Sequence, residues 1–326
     1  MEELGRRDHN AGTEISIVAP MYNEEAVIGI FVQEIRRVFS IANVSYEIVC
    51  VNDGSTDNTY EVLKRYALED ERIKVVNLSR NFGKEIALTA GLDHCNGRAI
   101  VPIDCDLQDP PELILDMISK WREGFDVVLA KRIDRSSDSL MKRWTSSMFY
   151  KLIDSISDIH IPVNVGDFRL LDRKVLEALK KYGERSRFMK GLFSSLGFKQ
   201  VTIEYVRKPR AAGETKWNYW KLYKLALEGI ISFTSLPLKI WSYVGASVAL
   251  GAFLYGIFLV VKTLVYGVET PGYASLMVVL LLMSGLILLC LGVIGEYLSR
   301  IFVEVKQRPL YHVMNTIGLN TKNDKD

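Results

Sequence analysis

The sequence predicts an α/β domain built on a mostly parallel central sheet, followed by a C-terminal transmembrane helical hairpin. Three observations carry that expectation. Apolar strand patterns alternate with helical patterns along the first part of the chain, acid-rich loops close three of those strands, and two long uncharged apolar runs occupy the last third.

Taken in order, residues 15–19 form a short apolar run read as a strand, and residues 24–39 carry helical periodicity. Residues 46–51 make a second strand, Thr59–Glu69 a helix, Ile73–Leu78 a third strand and Lys84–His94 a further helix. Residues 99–103, the helix 110–122 and the strand 126–130 complete the series. Such alternation is the pattern of a largely parallel sheet covered by helices. Sheets of this kind bind ligands beyond the carboxyl ends of their strands.

The polar motifs fall at those ends. The first is Pro20-Met21-Tyr22-Asn23-Glu24, the second Asn52-Asp53-Gly54-Ser55-Thr56-Asp57, and the fourth Asp104-Cys105-Asp106-Leu107-Gln108-Asp109. Turns rich in Asn, Asp, Gly and Ser are ordinarily loops, but acidic residues recurring at three strand ends converge on one rim. Asp104 and Asp106 can share a hard cation if the chain bends there, with Gln108 adding a neutral oxygen. Oxygen-only ligation suits Mg²⁺ or Mn²⁺ and leaves positions for phosphate and water. Asp109 reads as the N-cap of a helix beginning at Pro110, with Glu112 closing a capping box.

The apolar runs 240–261 and 272–295 each exceed the roughly 20 residues that cross a bilayer as a helix. Lys239 flanks the first, and Arg300, Lys306 and Arg308 follow the second, whereas the connection holds only Lys262 and Glu269. This charge asymmetry predicts a multi-pass inner-membrane protein with the catalytic domain and both termini in the cytoplasm. Glycines inside the runs, Gly245, Gly251, Gly256, Gly285, Gly292 and Gly295, permit close helix approach. Before them, residues 217–227 mix aromatic, basic and aliphatic side chains, as a helix lying in the headgroup layer would.

The implied organisation is a flexible segment 1–13, a cytosolic catalytic domain 14–216, an interfacial region 217–238, two transmembrane helices within 239–297, and a cytosolic juxtamembrane segment and tail 298–326. The polar start, residues 1–13, has no apolar core of a signal peptide. A net charge of +2, a pI near 8.2 and a mean hydropathy of +0.09 argue against a nucleic-acid binder and an acidic disordered chain. Cys50, Cys95, Cys105 and Cys290 stand singly, without metal-like pairing, and a disulfide framework is not expected.

Together with Ser79-Arg80-Asn81-Phe82-Gly83-Lys84-Glu85, Gly166-Asp167-Phe168-Arg169-Leu170 and Arg210-Ala211-Ala212-Gly213-Glu214-Thr215-Lys216-Trp217, these motifs resemble the inverting nucleotide-sugar glycosyltransferases of the dolichol-phosphate mannose synthase and bactoprenol glucosyltransferase group. The resemblance spans nearly the whole chain, the hairpin included. It implies a GT-A fold and transfer of one hexose from a nucleotide diphosphate sugar to a polyprenyl phosphate.

Carried over by residue, the resemblance puts the donor in a pocket of Pro20, Tyr22, Glu24 and Asp53. It assigns a divalent cation, Mg²⁺ or Mn²⁺, to Asp104, Asp106 and Gln108, and implies that Lys84 and Arg132 neutralise phosphate charge. Arg210 and Lys216, with Arg132, match the acceptor-phosphate segment, and Asp167 either orients a substrate or pairs with Arg169. Asp104, Asp106 and Asp167 are thus the expected catalytic carboxylates. UDP-glucose is the leading donor, GDP-mannose the alternative, and a noncatalytic membrane scaffold a further one. A homo-oligomer is the expected assembly. A processive synthase would carry Gln-x-x-Arg-Trp and more spans, and an oxidoreductase a glycine-rich turn after its first strand; this chain has neither.

Overall fold

The computed structural model describes residues 12–133, 165–185, 189–206, 236–266 and 272–319. The first half alternates as expected: β1 (Ile15–Met21), α1 (Ile28–Ala42), β2 (Tyr46–Asn52), α2 (Thr59–Glu69), β3 (Ile73–Leu78), α3 (Lys84–His94), β4 (Ala99–Pro102), α4 (Leu113–Arg122) and β5 (Val127–Arg132). There follow β6 (Val165–Asp172), α5 (Arg173–Lys180), α6 (Met189–Ser195), β7 (Gln200–Tyr205), the long helices α7 (Leu236–Tyr266) and α8 (Tyr273–Lys306), and β8 (Val313–Ile317).

All eight strands join one sheet in the order β7-β5-β6-β4-β1-β2-β3-β8. The pairs β1–β2, β1–β4, β2–β3 and β5–β7 are parallel, whereas β6 runs antiparallel to β4 and β5, and β8 antiparallel to β3. The sheet is therefore mixed although largely parallel. Strand order reverses beside β1, which opens a crevice at the carboxyl ends of β1 and β4.

Period-two alternation in the strands builds two apolar layers. Ile15, Ile17, Ala19 and Met21 of β1 pack with Phe31 and Ile35 of α1, Leu63 of α2, and Met117 and Trp121 of α4. On the other face, Val18, Val49 and Val51 pack with Leu88 and Leu92 of α3, Leu176 of α5 and Met189 of α6. A Cβ at Gly91 would stand 2.4 Å from a Val18 methyl, so a missing side chain lets α3 press onto the sheet.

Two helix starts depart from the sequence reading. The first helix begins at Ile28 rather than residue 24, because Asn23 adopts a left-handed φ of 55° and the Glu24 amide donates to Thr59 Oγ1 at 2.9 Å. The fourth begins at Leu113 with Glu112 at its N-cap and no side-chain cap. Asp109 is not that cap: it is buried and its carboxylate accepts the Tyr205 hydroxyl, while Glu112 pairs with Arg37 at 2.8 Å. The capping-box reading is thereby corrected.

Helices α7 and α8 have 31 and 34 residues. Residues Leu282–Lys306 are long and apolar enough to cross a membrane, with a mean hydropathy of 2.0 and none of that window buried against protein. At about 1.5 Å per residue, α8 is longer than a hydrocarbon core of about 30 Å. Its last turns carry Glu296, Arg300, Glu304 and Lys306, and Glu304 accepts the Arg185 amide at 2.8 Å. The helix end thus touches the sheet domain. A Cβ at Gly245, Gly251, Gly256, Gly285, Gly292 or Gly295 would meet nothing within 4 Å, so close packing through these glycines does not occur among the described residues.

Candidate active site

The loops after β1 and β2 are laced together by side chains bonding to backbone. The Asn23 amide donates to Ser55 Oγ at 3.0 Å, and Asn23 Oδ1 accepts the Thr56 amide at 2.8 Å. Pro20 ends opposite Val51 in the β1–β2 register, and Tyr22 is 38% exposed just beyond it. Pro20, Tyr22, Glu24 and Asp53 therefore occupy adjoining strand ends.

Asp53 is buried, with Oδ1 accepting the Phe82 amide at 2.7 Å and Oδ2 the Gly83 amide at 3.0 Å. Burial pushes its pKa up, against the two amide bonds and the nearby Arg80. Its neighbour Gly54 has φ +62°, and a Cβ there would lie 2.3 Å from the Arg80 carbonyl carbon. A side chain is excluded by both conformation and space. Asp53 and Gly54 thus hold residues 80–83, the lead-in to α3.

That lead-in delivers Lys84 as the first residue of α3. Its ammonium lies 2.7 Å from Asp104 Oδ1 and 3.1 Å from Asp167 Oδ2. A cation is disfavoured at a helix N-terminus, and burial alone would lower its pKa, but the two carboxylates outweigh burial and hold the pKa above the ordinary lysine value. Asp104 follows β4, whereas Asp167 belongs to β6, which the antiparallel register inserts between β4 and β5. Strand insertion is what brings these sequence-distant carboxylates onto one cation.

Behind Asp167, the Arg169 guanidinium is buried, donates from Nη2 to the Gly166 carbonyl at 2.6 Å and lies 4.4 Å over the Phe193 ring. Burial lowers its pKa to about 10, with Asp167 and Glu85 acting in the opposite direction. Arg132 ends β5 on the same rim, since neighbouring Lys131 is opposite Val165. Its Nε is buried with no hydrogen-bond partner among the described residues. Arg210, Lys216 and most of the interfacial region 217–238 lie outside the described residues.

Asp106 and Gln108 sit in a tight bend: Leu107 has φ 55°, and Asp106 Oδ1 accepts the Gln108 amide at 3.2 Å. Cys105 between the aspartates is buried in the core. Among the described residues no three Asp, Glu, His or Cys side chains converge as a ready metal site. The donor set nevertheless fits a hard cation in part, because Asp104, Asp106 and Gln108 supply oxygens alone and Asp104 already holds a positive charge.

Sequence reasoning missed the partnership of Lys84 with Asp104 and Asp167, and the amides Asn77 and Asn315, which bond to one another at 2.7 Å beside Asn52. Asparagine as the last residue of one strand, Asn52, and the penultimate residue of the next, Asn77, was the available signal.

Residues 16–180 match glycosyl transferase family 2, and residues 236–301 match the GtrB C-terminal hairpin. The chain is 53% identical over 306 residues to an uncharacterized glycosyltransferase of Synechocystis sp., covering 94% of this chain and 96% of that protein. It is 49% identical over 298 residues to the prophage bactoprenol glucosyl transferase homolog of Escherichia coli, covering 91% and 97%. To the bactoprenol glucosyl transferase of Shigella phage SfV it is 48% identical over 302 residues, covering 93% and 98%.

Proposed function

The chain belongs to glycosyl transferase family 2, and from that premise we propose that it transfers one glucose from UDP-glucose to a polyprenyl phosphate, undecaprenyl phosphate in bacteria, with inversion at the anomeric carbon. The observation that supports this most is the meeting of Lys84, Asp104 and Asp167 beside the Asn52 to Asp57 loop, in a chain whose hairpin matches that of GtrB. Relatives named for bactoprenol glucosyl transfer favour the acceptor and the sugar.

The acceptor needs little activation. A phosphate monoester is already anionic, so no general base must remove a proton. Its oxygen attacks the anomeric carbon, a new carbon–oxygen bond forms, and the bond to the diphosphate breaks with its electron pair leaving on the nucleotide. Pro20, Tyr22, Glu24 and Asp53 line the donor side in this reading, and Lys84 and Arg132 offset phosphate charge. A divalent cation held by Asp104, Asp106 and Gln108 would supply charge stabilisation for the leaving diphosphate. Asp167 positions Lys84 and a substrate group, and Arg132, Arg210 and Lys216 receive the acceptor phosphate.

The hairpin serves the same chemistry. Nucleotide sugar comes from water and the isoprenoid stays in lipid, so a catalytic domain spanning about residues 14–216 beside the cytoplasmic face lets them meet at phosphate level. Lys239, Arg300, Lys306 and Arg308 favour that orientation. A donor panel of UDP-glucose, UDP-linked hexose epimers and GDP-mannose, assayed with undecaprenyl phosphate, tests the assignment. UDP-glucose should give the highest kcat/KM; preference for GDP-mannose would replace it with mannosyl transfer.

A further inference from the structure

After the hairpin the chain returns to the sheet. Six residues beyond α8, β8 pairs antiparallel with β3, placing Asn77 opposite Asn315 and Val75 opposite Ile317. The returning segment also grips the lead-in to α3. The Ser79 amide donates to the His312 carbonyl at 2.9 Å, the Phe82 and His312 rings lie 6.5 Å apart, and the Tyr311 hydroxyl donates to Asp93 of α3 at 2.8 Å.

Three amides cross the sheet in one row. Asn52 is opposite Asn77 in β3, and Asn77 is opposite Asn315 in β8. Asn52 Nδ2 donates to Asn77 Oδ1 at 2.8 Å, Asn77 Nδ2 donates to Asn315 Oδ1 at 2.7 Å, and Asn315 Nδ2 donates to the Tyr60 hydroxyl. At the inner end Asn52 Oδ1 accepts the Ser55 amide at 3.3 Å, inside the loop that carries Asp53. Asn52 and Asn77 are buried. Without Asn315, Asn77 Nδ2 would keep, among the described residues, only the Met314 sulfur at 3.9 Å.

We propose that Asn315, on the strand returning from the membrane hairpin, is a positioning residue for the nucleotide-sugar donor. Through Asn77 and Asn52 it fixes the loop that holds Asp53, and so couples the membrane anchor to donor binding. This inference rests on the reading of that loop as the donor pocket. With Asn52 and Asn77 buried and Asn315 exposed at the outer end, the inner amides have one hydrogen-bonded arrangement, and removing the outer acceptor lets them rotate away from it.

The test uses the full chain in lipid nanodiscs, measuring UDP-glucose affinity by calorimetry and the KM of donor and undecaprenyl phosphate separately. Asn315→Leu should weaken donor affinity about fivefold to tenfold, the worth of one net hydrogen bond, with acceptor KM unchanged. Asn315→Asp, which retains an oxygen acceptor for Asn77, should restore most of the loss. Tyr60→Phe, which leaves the Asn77 bond intact, should give a smaller loss of the same kind, and Thr316→Val on the same strand, opposite Val76 and outside the amide row, none. Unchanged donor affinity in Asn315→Leu, an equal rise in both KM values, or no rescue by Asn315→Asp would reduce β8 to a sheet edge and overturn the proposal. Failure of the wild type to bind UDP-glucose or GDP-mannose would overturn the donor-pocket reading and this inference together; donor binding by the wild type with wild-type affinity in Asn315→Leu would overturn this inference alone.

Discussion

Lys84 and Asp104 form an ion pair at 2.7 Å across the mouth of the crevice, joining the N-terminus of α3 to the end of β4. Asp167, 3.1 Å from the same ammonium, extends the contact to β6. One lysine therefore reports on three elements at once.

Replacing it should cost activity more than fold. Lys84→Met leaves Asp104 and Asp167 facing each other without their cation and removes a positive charge from the candidate diphosphate site. We expect kcat/KM to fall about 10²-fold, the usual worth of one transition-state donor, with circular dichroism unchanged. Because its pKa is raised, the lysine stays protonated across the neutral range. The ratio of wild-type to variant rates should accordingly be flat from about pH 6 to 9, well below the ordinary lysine pKa of about 10.4.

Asp106→Asn should lower turnover about 10²- to 10³-fold while the protein remains folded, since it removes an anionic oxygen from the proposed cation ligands. Gln108→Ala should lose only about tenfold, its oxygen being neutral. Turnover with Mg²⁺ or Mn²⁺, compared with EDTA-treated enzyme, checks both. Full activity after complete metal removal would exclude this role for the Asp104 to Gln108 bend.

Gly54→Ala tests the joint between the second loop and the lead-in to α3. The added methyl would enter the Arg80 backbone and strain a positive φ, conditions that cost about 1–3 kcal/mol for the conformation alone. Donor affinity and the apparent unfolding midpoint should fall together. A variant with wild-type values in both would mean that residues 80–83 are not held as described.

A pH-dependent contribution to stability sits at the opposite end of the sheet. Arg72 bonds to Asp70 at 2.8 Å and Arg36 does so at 2.7 Å, and together they depress the Asp70 pKa below its ordinary value of about 3.9. A depressed carboxyl stabilises the fold above the unfolded pKa and loses that contribution as pH falls through the folded one. Asp70→Asn should cost about 1 kcal/mol at pH 7, the scale of a partly exposed ion pair, and nothing in strong acid. Unfolding midpoints at several pH values measure the difference, and transfer activity at pH 7 should be unaffected.

The alternating half of the fold was legible in the sequence because its strands are short apolar runs and its helices α1, α2 and α4 are amphipathic, whereas α3 is a run buried from Ala87 to Leu92. Thr59–Glu69, Ile73–Leu78 and Lys84–His94 agree with the structure at both ends. The start of α1 was not legible, since Thr59, distant in sequence, claims the Glu24 amide. Nor was β6, whose insertion between β4 and β5 depends on long-range pairing rather than local pattern. The same insertion hid the meeting of Lys84 and Asp167. Residues 313–317 read as a juxtamembrane segment because nothing in five residues signals that β3 has a free edge awaiting a partner. Asp109 looked like a helix cap by spacing, and a tyrosine from β7 overrode it.

The measurement closest to the central claim is direct isolation of the product. Full-length protein in nanodiscs, given radiolabelled UDP-glucose, undecaprenyl phosphate and Mg²⁺ or Mn²⁺, should yield an organic-extractable lipid carrying a single hexose in the inverted anomeric configuration, and Lys84→Met should yield about 10²-fold less. Label recovered as free sugar, as a lengthening glycan, or on a water-soluble acceptor but never on the lipid phosphate would contradict the account.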